Sequence, residues 1–267
     1  MGYRDLDELR AHWNEFAPDF EATFERATCL LARSLIEHLR LGSADAVLEV
    51  GAGPGAGALA VREHLRPGAR LVVTDIATKM VELARAKLPA DIEVLEADAE
   101  ALPFADASFD RLLGNLNLML VFDPDRALAE AHRVLRPGAR AAWSVWGRPS
   151  HSAMFTVPPE AARKVGIEMA PSRSNFHLGD RQALRAKVLG HGFRRALTWY
   201  QAMMYDLPSG AAGAAVVVRN PRWRKLLATQ PEERVAAFQA ELEARFDELL
   251  AAGTPIGLDA LMLVADK

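Results

Sequence analysis

From Leu6 the apolar positions recur at helical spacing, with Leu6, Leu9, Trp13 and Phe16 on one stripe, which predicts an N-terminal helix. Pro18 predicts an interruption, because proline removes a backbone donor and crowds the preceding turn. A second stripe of Phe20, Phe24, Leu31, Leu35 and Leu39 predicts a second helix stopped near Gly42. At Ala46 the period changes. Short apolar runs at residues 46–50, 70–74, 92–97, 109–115 and 139–146 read as strands. They alternate with amphipathic stretches at residues 55–65, 78–88 and 124–135 that read as helices. Asp123 is placed to cap the last of these, and Pro124 suits its first turn. Such alternation argues for a parallel sheet with helices on both faces.

Beyond Trp146 the pattern loosens. Residues 147–178 read as loop-rich, with Pro149, Pro158, Pro159 and Pro171 and one helix near residues 160–165. A helix over residues 180–189, stopped by Gly190, and a long strand over residues 195–207 follow. A largely helical stretch comes next, with a capping box predicted from Thr229 to Glu232. Residues 256–265 close the chain as a strand. The same hexapeptide, Leu-Arg-Pro-Gly-Ala-Arg, occurs at residues 65–70 and 135–140; each copy reads as a helix end, a Pro-Gly turn and a strand start.

Composition narrows the function classes. A formal net charge of -3 over 267 residues offers no footprint for nucleic acid, and the basic strip at residues 219–225 reads as a solvated helix face. Cys29 is the sole cysteine, so neither an intramolecular disulfide nor a thiolate metal cluster is expected. Arg4, Asp5, Asp7 and Glu8 leave no room for an apolar signal-peptide core, and no apolar run reaches membrane-spanning length. A cytoplasmic enzyme acting on a small molecule is expected, without membrane insertion, as a monomer or homodimer. No His, Asp or Glu spacing suggests a metal site.

The chemistry concentrates in VLEVGAGPGAG at residues 47–57, an apolar strand running into glycines that open a helix. Gly51 and Gly53 permit backbone conformations and ligand approach that a Cβ would block. Gly51, Gly53 and Ala56 also satisfy the dinucleotide fingerprint, so this segment alone leaves a nicotinamide cofactor open. Glu49 helps separate a pyrophosphate ligand from a cationic one. A carboxylate there repels a pyrophosphate and attracts an ammonium or sulfonium, by roughly 4 kcal/mol at 4 Å and an effective dielectric near 20. Asp75, at the end of the second strand, can accept from both ribose hydroxyls. Asp98, after the third strand, can accept from an adenine amine, with the Ala99 N–H completing the contact. Three acidic groups then line one edge of the sheet, where open α/β sheets bind ligands.

On these residues the sequence resembles class I S-adenosylmethionine-dependent methyltransferases, in particular the group containing the ubiquinone and menaquinone C-methyltransferases. The glycine segment is similar to that family's first motif, and residues 73–76 followed by Met80 to its second. Residues 98–104 and 107–110 are similar to its "DA..LPF.D.SFD" stretch. Residues 134–138 match the turn before the fifth strand, and residues 13–20 the aromatic lead-in. The resemblance implies a Rossmann-like methyltransferase fold: α/β, doubly wound, a mostly parallel seven-stranded sheet with N-terminal helices and a helical insertion near the C-terminus. It implies one domain over residues 1–267, with a helical lid at 1–42, a cofactor core at 43–146 and a substrate side at 147–267. The implied S-adenosylmethionine contacts are Glu49, Gly51, Ala52, Gly53, Asp75, Ile76, Met80, Asp98, Ala99 and Asn115. Two departures stand out. Residues 114–117 are not the Asn-Pro-Pro-aromatic motif of amino-methylating nucleic-acid enzymes, and the chain after Gly147 does not follow the quinone enzymes.

Methyl transfer from a sulfonium is an in-line displacement that needs no metal, and a base only where the acceptor must lose a proton. His12, His151, His177 and Tyr205 are the candidates for that base. Trp13, Phe16, Trp146, Phe155, Phe176, Trp199 and Met203 can line an apolar acceptor pocket, which points to a hydrophobic or aromatic small molecule. Three alternatives stand beside this reading: an NAD(P)-dependent oxidoreductase, a cofactor-binding protein without transfer activity, and an RNA or protein methyltransferase, which the charge balance and the absent Asn-Pro-Pro stretch disfavour.

Overall fold

The run at residues 46–50 forms β1 (Ala46–Val50), whose five residues are all buried. Burial on both faces is the mark of an interior strand in a parallel sheet. Around it the computed structural model, which describes residues 5–267, builds β2 (Arg70–Asp75), β3 (Glu93–Glu96), β4 (Phe109–Asn115) and β5 (Leu135–Trp146) in parallel. Arg4 lies outside the described residues. Two antiparallel strands, β6 (Arg195–Met204) and β7 (Gly257–Asp266), complete the seven-stranded order β3-β2-β1-β4-β5-β7-β6. The closing strand thus inserts between β5 and β6. The winding reverses between β1 and β4, and at such a switch point the carboxyl ends of the strands leave a crevice.

The helices α3 (Ala56–Arg62), α4 (Thr78–Lys87) and α5 (Pro124–Val134) make the crossovers. The Asp123 side chain accepts from the backbone N–H groups of Asp125 and Arg126, as its cap position predicts. Both hexapeptide copies turn through a left-handed glycine, Gly68 at φ 80° and Gly138 at φ 81°.

Several expectations are corrected. Pro18 does not break the first helix: α1 runs over Leu6–Thr23 with Pro18 inside. Pro18 is exposed, so the carbonyl left without its donor can be hydrated. The break falls at Phe24, ahead of α2 (Glu25–Leu39), and α2 ends at left-handed Arg40 rather than Gly42. In the loop-rich stretch, α6 covers Ala153–Lys164 despite Pro158 and Pro159, because its Met154, Val157, Ala161 and Ala162 face is buried. Tertiary packing there overrides propensity. Further on lie α7 (Arg181–Gly190), α8 (Gly210–Arg219), α9 (Pro221–Leu227) and α10 (Glu232–Ala251). The predicted capping box does not form, since Thr229 Oγ1 donates to the Leu226 carbonyl and α10 starts behind Pro231. The sixth strand ends at Met204 instead of Leu207.

A buried carboxylate ties the chain after β5 to the sheet. Asp259 on β7 is 1% exposed and accepts from Arg148 N at 2.9 Å, Nε at 2.9 Å and Nη2 at 3.1 Å. Ser152 Oγ donates to the Arg148 carbonyl and accepts from the Asp259 N–H. The Arg148 guanidinium lies 4.3 Å from the centroid of the Tyr200 ring, and the Tyr200 hydroxyl donates to the Gly179 carbonyl. Both ends of the segment spanning residues 148–179 are therefore fixed over the crevice. Replacing Asp259 by Ala leaves these donors short of an acceptor. It is expected to lower unfolding free energy by about 2–3 kcal/mol in urea titration, with Asp259→Asn losing less.

Candidate functional site

The three predicted carboxylates converge on one cavity of about 540 Å³ at the carboxyl edge of the sheet. Register explains the convergence: Glu49 lies beside Val73 of β2, and Asp75 beside Glu96 of β3, so β1, β2 and β3 deliver their ends to a common rim. Gly51 at φ 62° and Gly53 at φ 59° turn the chain out of β1. A Cβ on Gly51 would stand 2.6 Å from the Asn117 Cβ, so that turn admits only glycine. Ala52, Ile76 and Ala99 also line the cavity.

Asp75 is held from both sides: Oδ2 accepts from Gly53 N and Oδ1 from Ala77 N, each at 2.9 Å. Burial pushes its pKa up, against the pull of these N–H groups. Asp98 is half-buried; its Oδ1 accepts from Glu100 N at 2.9 Å. Glu49 differs from both. It is 2% exposed, Oε2 has no hydrogen-bond partner, and Oε1 lies where a Cβ on Gly57 would fall. Burial, reinforced by the charges of Asp75 and Glu25, pushes its pKa up to about 8.

Asn115 and its neighbour Asn117 both line the cavity. Asn115 borders the cavity, but its Nδ2 donates to the Thr28 carbonyl and its Oδ1 accepts from Ser144 Oγ, so the amide is committed. Leu116 at φ 52° breaks the strand alternation and turns Asn117 in beside Gly51. Asn117 is 8% exposed, and its Oδ1 is a buried oxygen without a partner. Glu25 of α2 was also not singled out from the sequence. It accepts from Ala56 N at 2.9 Å and from Lys87 Nζ at 2.6 Å, which fixes α2 to the start of α3 and the end of α4. Nothing local in the sequence marks a cap supplied by a distant helix. Arg173 is the third such residue; it donates to the carbonyls of Met119, Val121 and Phe122 and so closes the loop after β4.

Met80 is 2% exposed and packs with Ala17 and Ala77 in a small cluster of its own, its sulfur near Gly53. Trp13 and Phe16 line the cavity from α1, with ring centroids 5.8 Å apart. Trp146, Phe155, Phe176 and Met203 line it from the other side, with Trp146–Phe155 centroids at 5.1 Å and Phe155–Phe176 at 6.1 Å. Trp199 is a correction. It sits farther from the rim along β6 and packs edge-on against His38 at 4.8 Å, outside the cavity lining.

The base candidates divide. His151 is exposed, contacts Ser150 Oγ and does not line the cavity, which the following helix α6 reaches instead through Met154 and Phe155. His177 does not line it either; its ring turns back to the Ser174 carbonyl, and burial pushes its pKa down. His12 and Tyr205 do line the cavity. Burial, with the positive charge of Lys225 adding to it, pushes His12 down to about 4, and burial pushes Tyr205 up to about 12. At neutral pH both are uncharged. Among the described residues no group of three His, Cys, Asp or Glu side chains could hold a metal ion, and no helix is long and apolar enough to cross a membrane.

Comparison with known proteins agrees with this geometry. Residues 48–143, from β1 into β5, match the family model described as a methyltransferase domain. The chain is 30% identical over 158 residues to a demethylmenaquinone methyltransferase of Renibacterium salmoninarum, an alignment covering 58% of this chain and 65% of that protein. It is 33% identical over 227 residues to a malonyl-[acyl-carrier protein] O-methyltransferase of Methylococcus capsulatus, covering 79% of this chain and 78% of that one. Its fold resembles the crystal structure of an S-adenosylmethionine-dependent methyltransferase from Thermotoga maritima, with a TM-score of 0.57 at 18% identity over 96% of this chain and 99% of that chain. These matches set aside the oxidoreductase alternative: the chain belongs to the class I S-adenosylmethionine-dependent methyltransferases, with S-adenosylmethionine as cofactor.

Proposed function

We propose that this chain transfers a methyl group from S-adenosylmethionine to a small hydrophobic or aromatic acceptor. The observation that carries the reading is Glu49, a buried carboxyl with an unpartnered oxygen at the rim of the cavity. A buried charge of that kind is tolerated when a counter-charge completes it, and a dinucleotide would bring the wrong sign. The bound cofactor supplies an electrophilic methyl on a sulfonium. Glu49 and the Asn117 oxygen face its cationic end, beside the turn made by Gly51, Ala52 and Gly53. Asp75, already oriented by two backbone N–H groups, has lone pairs left for the ribose hydroxyls. Asp98 and the Ala99 N–H take the adenine edge, with Ile76 and Met80 against its face.

Trp13, Phe16, Trp146, Phe155, Phe176 and Met203 supply the acceptor wall. Their aromatic surface excludes water and limits the orientations an apolar ring can take, which is the main contribution open to a protein in this chemistry. The demethylmenaquinone named for the Renibacterium relative is an acceptor of that kind. In this reading residues 1–267 act as one domain in the cytoplasm, as a monomer or homodimer. The net charge of -3 supports a small molecule over nucleic acid as the substrate.

Two measurements test the cofactor end. The Glu49 pKa of about 8 means that binding a cation releases a proton below that pH, so affinity for S-adenosylmethionine in calorimetry is expected to rise from pH 6 to pH 8. Glu49→Gln should flatten that dependence and weaken binding roughly 10- to 100-fold. Stability moves the other way. A carboxyl raised from 4.5 to about 8 gives the folded state a proton that the unfolded chain has lost, so its contribution to stability falls as pH rises through that window. Cofactor-free Glu49→Gln protein should therefore melt above the parent at about pH 9. An unchanged affinity for this variant would remove the cation from the site. For the turn, Gly51→Ala is expected to weaken binding at least about tenfold while circular dichroism shows the fold retained.

A further inference from the structure

Strand register sets the face that the acceptor meets. Trp146 pairs with Ala260 and Met203 with Leu258, and the Tyr205 N–H donates to the Ile256 carbonyl at 3.0 Å. Steps of two residues keep side chains on one side of a sheet, so Trp146, Leu258, Met203 and Tyr205 stand together along the cavity. Three of the four are apolar or nearly so. The fourth carries a hydroxyl.

The other hydroxyls on the wall each have a partner within the protein: Thr28 Oγ1 donates to the Phe24 and Glu25 carbonyls, and Ser172 Oγ and Ser174 Oγ, outside the sheet face, accept from Arg222 Nη2 and Phe176 N, each at 3.1 Å. The Tyr205 hydroxyl has no hydrogen-bond partner among the described residues, and burial alone pushes its pKa up. It therefore stays protonated at neutral pH and can donate a hydrogen bond but not take up a proton. A donor that an apolar ligand strips of water without replacing its bond carries a penalty, so the site discriminates against hydrocarbon and in favour of a ligand that accepts.

We propose that Tyr205 determines acceptor specificity: the molecule methylated here is an apolar ring system bearing an oxygen, and the Tyr205 hydroxyl donates a hydrogen bond to that oxygen. A protonated amine does not fit, because it has no lone pair to offer and would be drawn to the carboxylate rim instead. The inference rests on the methyl-transfer reading above and refines its acceptor class.

Equilibrium dialysis of the protein loaded with S-adenosylhomocysteine, using 1-acetonaphthone and 1-ethylnaphthalene as probes of matched size, decides it. The parent protein is expected to bind the ketone about fivefold or more tightly than the hydrocarbon. Tyr205→Phe should bring the two probes level by weakening the ketone alone, with S-adenosylhomocysteine affinity unchanged as the control for an intact fold. Equal binding by the parent, a preference that survives Tyr205→Phe, or failure of both probes to bind overturns the assignment. If the parent instead fails to bind S-adenosylhomocysteine, the cofactor reading falls, and the same probe ratio measured on the free protein still decides the role of Tyr205.

Discussion

A carboxyl group buried with one oxygen unmatched is the constraint around which the rim of this sheet is arranged. Glu49 sits on an interior strand, under the turn between β1 and α3, where water cannot hydrate it. Removing an ion from water without a partner costs several kcal/mol, so the free protein meets the problem by holding a proton near neutrality. The surroundings are shaped to the same end. Gly57 leaves room for the carboxyl head, Gly51 lets Asn117 close in, and Asp75 is fixed by the N–H groups of Gly53 and Ala77. Under the proposed reading, a cation at Glu49 would relieve the mismatch that the fold maintains, so that binding and stability place different demands on the same carboxyl.

The same economy governs the lid side. Helix α1 reaches the core through the small cluster of Ala17, Ala77 and Met80, with Trp13, Phe20 and Leu83 around it, separate from the main core. It is also tied by the ring contacts of Phe16 and Phe20 with Phe24, by the partly buried pair of Glu21 with Lys87, and at the surface by Asn14, which accepts from Lys79 N, and the pairs Asp19–Arg224 and Glu15–Lys225. Exposed ion pairs contribute about 0–1 kcal/mol each. By contrast α2 packs into the main core through Leu31, Leu35, Ile36 and Leu39, and Glu25 and Cys29 bind it to the opening turn of α3. The element that carries Trp13 and Phe16 thus rests on a smaller apolar cluster than α2 does.

How much was legible in the sequence follows from how local each signal is. The strands at residues 46–50 and 109–115 came out with the observed bounds because each has an apolar centre, Val47 and Leu48 in one and Leu112 and Leu113 in the other, that is fully buried. The glycine turn, Asp75 and Asp98 were readable for a related reason, since strand ends and glycines in sequence order imply one rim. Asn117 was missed because its position depends on the left-handed Leu116, and a non-glycine residue in that region leaves no mark in composition. Pro18 and the prolines of α6 misled because propensity weighs about 3 kcal/mol against a proline, yet exposure in one case and a buried face in the other outweighed it. His151 and Trp199 had the right chemistry in the wrong place. His151 lies in the short turn before α6 with its ring against Ser150, and Trp199 lies deep along β6, and neither placement is marked in the sequence.

The protonation states of the cavity constrain the chemistry further. His12 on α1 is stripped of water and lies near the positive charge of Lys225 and Arg222, so it is neutral well below physiological pH. A base whose conjugate acid has a pKa near 4 has little drive to take a proton from a phenol or an amine. Tyr205 at about 12 is fixed in its acid form. Neither group matches the poised, near-neutral pKa that general-base catalysis favours, and the two lie on opposite sides of that optimum. That range is met instead by Glu49 at about 8, which the reading above assigns to the cationic end of the cofactor. Under the proposed reading, the chain's contribution is exclusion of water and fixed orientation between a carboxylate rim and an aromatic wall, to which α1 contributes Trp13 and Phe16.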